Sequence, residues 1–176
     1  VHSNSGAKYG GGISTSAFSI IDNCKIYNNS STKGGGISIT GGSPTLNNLK
    51  VYSNSANYGG GIYFGIWIDR TTLTNSLIFD NSGTGELYSD RSYNGINIIN
   101  STIIRSIGTT IWVRKQANYS IFNSIVIGTI EMTNSLSIVD VSYSLIKDGT
   151  SSVLNNNNGN LTWGTGNIDV DPLFVD

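Results

Sequence analysis

Six charged residues lie close enough in the sequence to do chemistry together: Asp69 with Arg70, Asp90 with Arg91, and Arg114 with Lys115. Such groups suit attack on polysaccharides, in which paired carboxylates hydrolyse a glycosidic bond or a basic side chain beside carboxylates withdraws a proton from the sugar. Asp90 stands three residues after Leu87, and Arg114 three after Ile111, so the two are also placed for a plain salt bridge between equivalent segments. No second carboxylate falls in that register. His2 is the only histidine and Cys24 the only cysteine, which leaves no Ser-His or Cys-His pair, no internal disulfide and no Cys-based zinc site. Asp169 and Asp171, ahead of Pro172, have the spacing either of calcium ligands or of carboxylates that cap backbone amides. No metal and no cofactor is assigned to any of these residues.

The elements that must position them follow from a repeat. The stretch N-Y-G-G-G-I-Y-F, Asn57 to Phe64, has the glycines of a phosphate-cradling loop. The same triplet, however, precedes Ile13, Ile37 and Ile62, and T-G-E-L and G-T-T-I carry the series on to Leu87 and Ile111, in steps of 24, 25, 25 and 24 residues. A second series, V-H-S-N-S, I-Y-N-N-S, V-Y-S-N-S and I-F-D-N-S, starts at Val1, Ile26, Val51 and Ile78. A third is the asparagine that closes each short apolar run: Asn23, Asn48, Asn75, Asn100 and Asn123. A phosphate site needs one glycine loop, whereas a tight corner made once per coil needs many. No helix pattern follows the glycines to offer its N-terminus to an anion.

One period holds three short β segments, such as 37–40, 44–47 and 50–52, each too short to bury anything alone. Stacked coil on coil at ~4.8 Å, each pairs with its equivalents, and the inward side chains form one apolar column. The fold expected is all-β, a right-handed parallel β-helix of about seven coils and a period near 25 residues. It spans residues 1–176 as a single domain, with coils over 1–147 and an irregular C-terminal cap over 148–176. The five asparagines are expected to form a ladder at a bend that requires a left-handed backbone, their amides bonded from coil to coil. Trp163, Leu173 and Phe174 are expected to cover the open end of the column. A leucine-rich repeat fits L-N-N-L-K-V-Y-S-N, Leu46 to Asn54, but the Gly-rich and β-branched remainder of each unit has nothing from which to build that fold's outer helix.

Alternation along the segment after the glycines sends Ile13, Ile37, Ile62, Leu87, Ile111 and Ile130 inward. The next residues then point out: Ser14, Ser38, Tyr63, Tyr88, Trp112 and Glu131. Three successive coils thus present aromatic rings, with Trp67 and Tyr93 as flanking candidates. The row reads either as a platform for sugar rings or a partner chain, or as packing between coils. The ligand-binding candidates are therefore Tyr63, Tyr88, Trp112, Trp67, Asp90, Arg91 and Arg114, and no residue is assigned a catalytic role.

Composition narrows the partners. The chain has 22 Gly, 22 Asn, 12% charged residues and a formal net charge of −1 without a run of one sign. Nucleic acid and anionic membranes are poor partners for it, because both are held by basic patches. No apolar stretch approaches the ~20 residues of a spanning helix.

The glycine-triplet and Ile/Val-x-x-Asn motifs over residues 1 to 87 resemble the GGAI and FxxN repeats of polymorphic outer-membrane proteins and related bacterial surface β-helices, with an aliphatic residue or Phe79 near the first position of the second motif. From Asn123 onward the chain, ending in G-N-I-D-V-D-P-L-F, is similar to the closing part of choice-of-anchor type bacterial β-helix proteins. The resemblance implies a right-handed parallel β-helix secreted to a bacterial surface, commonly by way of a C-terminal sorting domain, and this chain is then expected to be a piece of a longer surface protein. The function expected is non-catalytic: adhesion, glycan or protein binding, or a structural stalk, with a glycan or another surface protein as partner. Two alternatives are a polysaccharide lyase or hydrolase, or a fragment of one, and the cargo or a subunit of a larger surface assembly that the secretion machinery would handle.

Overall fold

The computed structural model describes residues 1–6, 8–92, 94–156 and 158–172; Tyr93, Leu173 and Phe174 lie outside the described residues. The backbone winds as a parallel β-solenoid, in which each rung pairs in parallel with the rungs before and after it. On the first face, Ile13, Ile37, Ile62, Leu87, Ile111, Ile130 and Val153 share one register. These seven rungs enclose six turns, a rod roughly 30 Å long at ~4.8 Å per step. The second face stacks Ile21, Leu46, Leu73, Ile98, Ile121, Val141 and Trp163. The third stacks Ile26, Val51, Ile78, Ile103, Val126 and Ile146. The three rows meet in one core cluster, and each fully buried Ile, Leu or Val contributes ~1.5–3 kcal/mol of transfer free energy.

Each coil turns at left-handed corners. Asn23, Asn48, Asn75, Asn100 and Asn123 all have φ between 47° and 52°, the conformation that asparagine tolerates better than other non-glycine residues. Their exposed amides bond along the rod, Asn48 to Asn23 at 3.2 Å, Asn100 to Asn75 at 3.4 Å and Asn123 to Asn100 at 2.8 Å. Asn75 reaches Asn47 instead, at 2.9 Å. The residue after each of these corners turns inward, and from Ser76 on it is a buried serine: the amide of Ser76 donates to Ser101 Oγ, that of Ser101 to Ser124 Oγ and that of Ser124 to Ser144 Oγ.

A second corner, with Ser3, Asn28, Ser53 and Asp80 left-handed, carries a buried ladder that the sequence reading missed. The amide nitrogen and the side chain of Asn29 both donate to Asn54 Oδ1 at 3.0 Å, and those of Asn54 donate to Asn81 Oδ1 at 2.9 and 2.8 Å. The third glycine of each triplet is set by close approach of the next coil. A Cβ on Gly36 would lie 2.7 Å from the Gly61 carbonyl oxygen and 2.8 Å from Val51 Cγ1, and one on Gly61 2.8 Å from the Glu86 carbonyl oxygen. The ladder amides Asn54 Nδ2 and Asn81 Nδ2 would stand a little further off, each at 3.1 Å. Where the ladder stops, the triplet becomes T-G-E-L, and the fully buried carboxylate of Glu86 accepts the Asn81 side chain at 2.6 Å and its amide nitrogen at 3.1 Å.

Two further features depart from the sequence reading. A fourth strand in three successive coils, Ser30–Lys33, Ser55–Tyr58 and Ser82–Thr84, forms a separate small sheet ahead of the glycines. The coils also run past residue 147. Val153–Asn155 pairs with Ile130–Met132, and Asn160–Trp163 with Ile138–Val141. Polar composition disguised this last turn as an irregular cap. Trp163 does lie against the core, as the end member of the second-face row.

Candidate binding site on the first face

The outward row has the expected register: Ser14, Ser38, Tyr63, Tyr88, Trp112 and Glu131 lie side by side. Its rings do not form a bare platform. Rings repeated at rung spacing stack on one another, so their faces are covered along the rod. Tyr63 and Tyr88 lie 5.8 Å apart at 15°, Tyr88 and Trp112 6.4 Å apart at 30°, and Tyr63 and Tyr88 are only 2% and 3% exposed.

The cover comes from the strand ahead of each glycine triplet. Tyr9, Lys33 and Tyr58 are each the residue before a triplet and stand in register on three successive coils. Lys33 Nζ lies 5.7, 5.9 and 4.9 Å from the ring centres of Tyr9, Tyr58 and Tyr63, a cation held between aromatic faces. Lys33 also donates to Tyr63 Oη at 3.1 Å, and Tyr63 donates to Asp90 Oδ2 at 3.4 Å. None of the three was singled out from the sequence, although their common place before G-G-G was the available signal.

The charges at the rim pair differently from the expectation. Asp90 forms its ion pair with Lys115, at 2.8 Å. Arg114 instead donates to Tyr88 Oη at 2.6 Å and lies 5.9 Å from the centre of that ring. Burial alone would raise the Asp90 pKa, but its hydrogen bond to Lys115 and the charges of Lys115 and Lys33 outweigh burial and hold it below the ordinary carboxylate range. Tyr63 is pushed up, chiefly by burial and then by the Asp90 charge. Burial likewise raises Tyr88, against the hydrogen bond from Arg114, and that bond raises Arg114.

Two clefts of about 310 Å³ each share Lys33 and Asp90 in their linings. Tyr9, Tyr63, Ile66 and Trp67 are among the other residues lining one, and Tyr58, Tyr88, Arg114 and Lys115 line the other. Trp67 follows an irregularity in which Gly65 and Ile66 stand opposite the single residue Thr40 of the neighbouring coil, one extra residue that displaces the register, and it is 76% exposed. The structure thus gathers Tyr63, Tyr88, Asp90, Arg114 and Trp67, and stacks Trp112 at the end of the row. Arg91 is exposed and lines neither cleft. Away from this site, Asp69 accepts the Asn94 amide and His2 stacks on Tyr27 at 4.8 Å. Asp169 faces Gly149. Among the described residues, no three His, Cys, Asp or Glu side chains come together as a group that could hold a metal. The chain matches no family model, no curated protein and no solved structure, so the function is argued from this geometry.

Proposed function

We propose that this β-solenoid is a non-catalytic module of the bacterial cell surface or the secreted fraction, and that it binds a glycan at the clefts beside Lys33 and Asp90. The observation that carries the reading is the open aromatic face of Trp67 next to a fixed group of polar atoms: the Lys33 ammonium, the Tyr63 hydroxyl and the Asp90 carboxylate. An exposed indole beside a few convergent hydrogen-bonding groups suits one sugar ring, apolar on its face and polar at its edge. Binding is favoured over turnover because, among the described residues, Asp90 is the one carboxylate that lines either cleft, with no second carboxylate beside it to complete the pair a hydrolase uses.

The test is a glycan array probed with the wild type and with Trp67→Ala, an exposed change that leaves the core intact. We expect the wild type to retain a defined set of glycans and the variant to lose at least about 90% of that signal, since loss of one stacking contact is worth ~1–2 kcal/mol. A wild type that binds nothing on the array, or a variant that binds as well, refutes the proposal. The lyase alternative draws on the cations around Asp90; release of unsaturated sugars from polyuronates by the wild type, abolished in Arg91→Ala or Arg114→Ala, would establish it instead.

A further inference from the structure

A second surface, on the corner between the second and third faces, carries a shallow groove of about 950 Å³ that the first-face site does not involve. Its floor is the exposed asparagine ladder, Asn23, Asn48, Asn75 and Asn100. An asparagine amide has two N–H donors and two acceptor lone pairs. The bonds from coil to coil occupy one donor of each ladder amide from Asn48 to Asn123, which leaves further capacity facing solvent at every step. Beside the ladder runs the outward row Lys25, Lys50, Leu77 and Thr102, in register on consecutive coils. Lys25 and Lys50 are exposed, and among the described residues no Asp or Glu lines the groove; Asp22, next to Asn23, accepts the Asn47 side chain at 2.7 Å. His2 and Tyr27 line one end of the groove, and beyond its lining the ring stack runs on from Tyr27 to Tyr52 and Phe79, with successive centres 4.8, 5.1 and 5.4 Å apart. Lys50 Nζ is held 5.3 Å from the Tyr52 ring centre and 5.4 Å from that of Phe79.

The groove therefore repeats an amide donor and acceptor on each coil, with a cation on two neighbouring coils and ring edges at the His2–Tyr27 end. We infer that it binds a linear, carboxylate-bearing polysaccharide lying parallel to the solenoid axis. Lys25 and Lys50 pair with carboxylates on the sugars above them, and the Asn23 to Asn100 amides take hydroxyls. Charge complementarity selects an acidic polymer over a neutral one. The amide ladder selects sugar hydroxyls, whereas two lysines on a chain of net charge −1 are too few to hold nucleic acid by counterion release.

Affinity electrophoresis through gels containing polygalacturonate, alginate or hyaluronate tests the inference, with fully methyl-esterified polygalacturonate and single-stranded DNA as controls. We expect retardation by at least one of the three acidic polymers and by neither control. The exposed double variant Lys25→Gln/Lys50→Gln, checked by its circular dichroism melt, is expected to bind that polymer about ten-fold more weakly, a loss of ~1.4 kcal/mol. Trp67→Ala is expected to bind it normally, which separates this groove from the first-face site. The inference is overturned if none of the three polymers retards the protein, if either control binds equally, if the double variant binds like the wild type, or if Trp67→Ala abolishes retardation.

Discussion

Glu86 shows how one residue can close a repeat. In the preceding coils the third glycine lies against the backbone of the following coil and beside its buried asparagine, whose Oδ1 accepts two donors from the asparagine before it. Ser106 stands where the asparagine after Asn81 would be, so the Glu86 carboxylate fills the vacated space and terminates the ladder. Arg105 lies above it at 4.0 Å, its own guanidinium held by the carbonyls of Asn81 and Gly83. Burial raises the Glu86 pKa to about 7, although the Asn81 bonds and the Arg105 charge oppose the rise. The folded chain thus holds the proton more tightly than the unfolded chain, whose carboxyl titrates near 4.5. The stabilisation is complete below the unfolded value and drains away as pH rises through the folded one. The gap corresponds to roughly 3 kcal/mol. Thermal melts are expected to be higher at pH 5 than at pH 8 by on the order of 10 °C, and Glu86→Gln is expected to flatten that slope. An unchanged slope in the variant would show that Glu86 does not carry it.

At the scale of an element, the two corners of the coil look alike in the backbone but differ in burial. Asn54 is 1% exposed, and its side chain serves Asn29 below and Asn81 above. Asn54→Ala leaves buried donors of Asn29 unpaired and is expected to cost roughly 3 kcal/mol. Asn100→Ala removes exposed bonds and forces alanine into a left-handed conformation, at about 1–2 kcal/mol. Equal losses in the two melts would count against a buried ladder. The outer ladder was legible in the sequence because each asparagine closes an apolar run. The inner one lies in the series V-H-S-N-S to I-F-D-N-S, whose fourth residue is Asn each time, but a repeated polar position does not by itself say that its side chain turns inward. The small sheet with Lys33 was likewise hidden, since S-S-T-K and S-A-N-Y lack the apolar alternation that marks a strand.

At the scale of the whole molecule, the solenoid is stable only while its end rungs are covered. Val153 closes the first-face row over Ile130, and Trp163 closes the second over Val141. A chain cut after Lys147 loses both and presents open parallel edges above an apolar column, a template for pairing with other chains. We expect residues 1–147 to associate in light scattering at concentrations where residues 1–176 do not. A truncated chain that stayed monomeric and melted like the full one would show that the last turn is dispensable.

The repeat of about 25 residues and the alternation of inward and outward side chains are written in linear order. Those two facts suffice for a parallel solenoid, for its left-handed asparagine corner and for the register of the aromatic row. What they leave open is contact between side chains on different coils, because residues ~4.8 Å apart along the rod meet through rotamer and burial rather than through sequence spacing. Only the tertiary structure turns the aromatic faces on one another, sets Lys33 between Tyr9 and Tyr58, and gives Asp90 to Lys115 instead of Arg114. The exposed ring of Trp67 stands where its coil carries one residue more than the neighbouring strand. The longer step is written in the sequence, where Val51 to Ile78 spans 27 residues against 25 for the coils before it, but only the tertiary structure shows that the candidate site opens to solvent there.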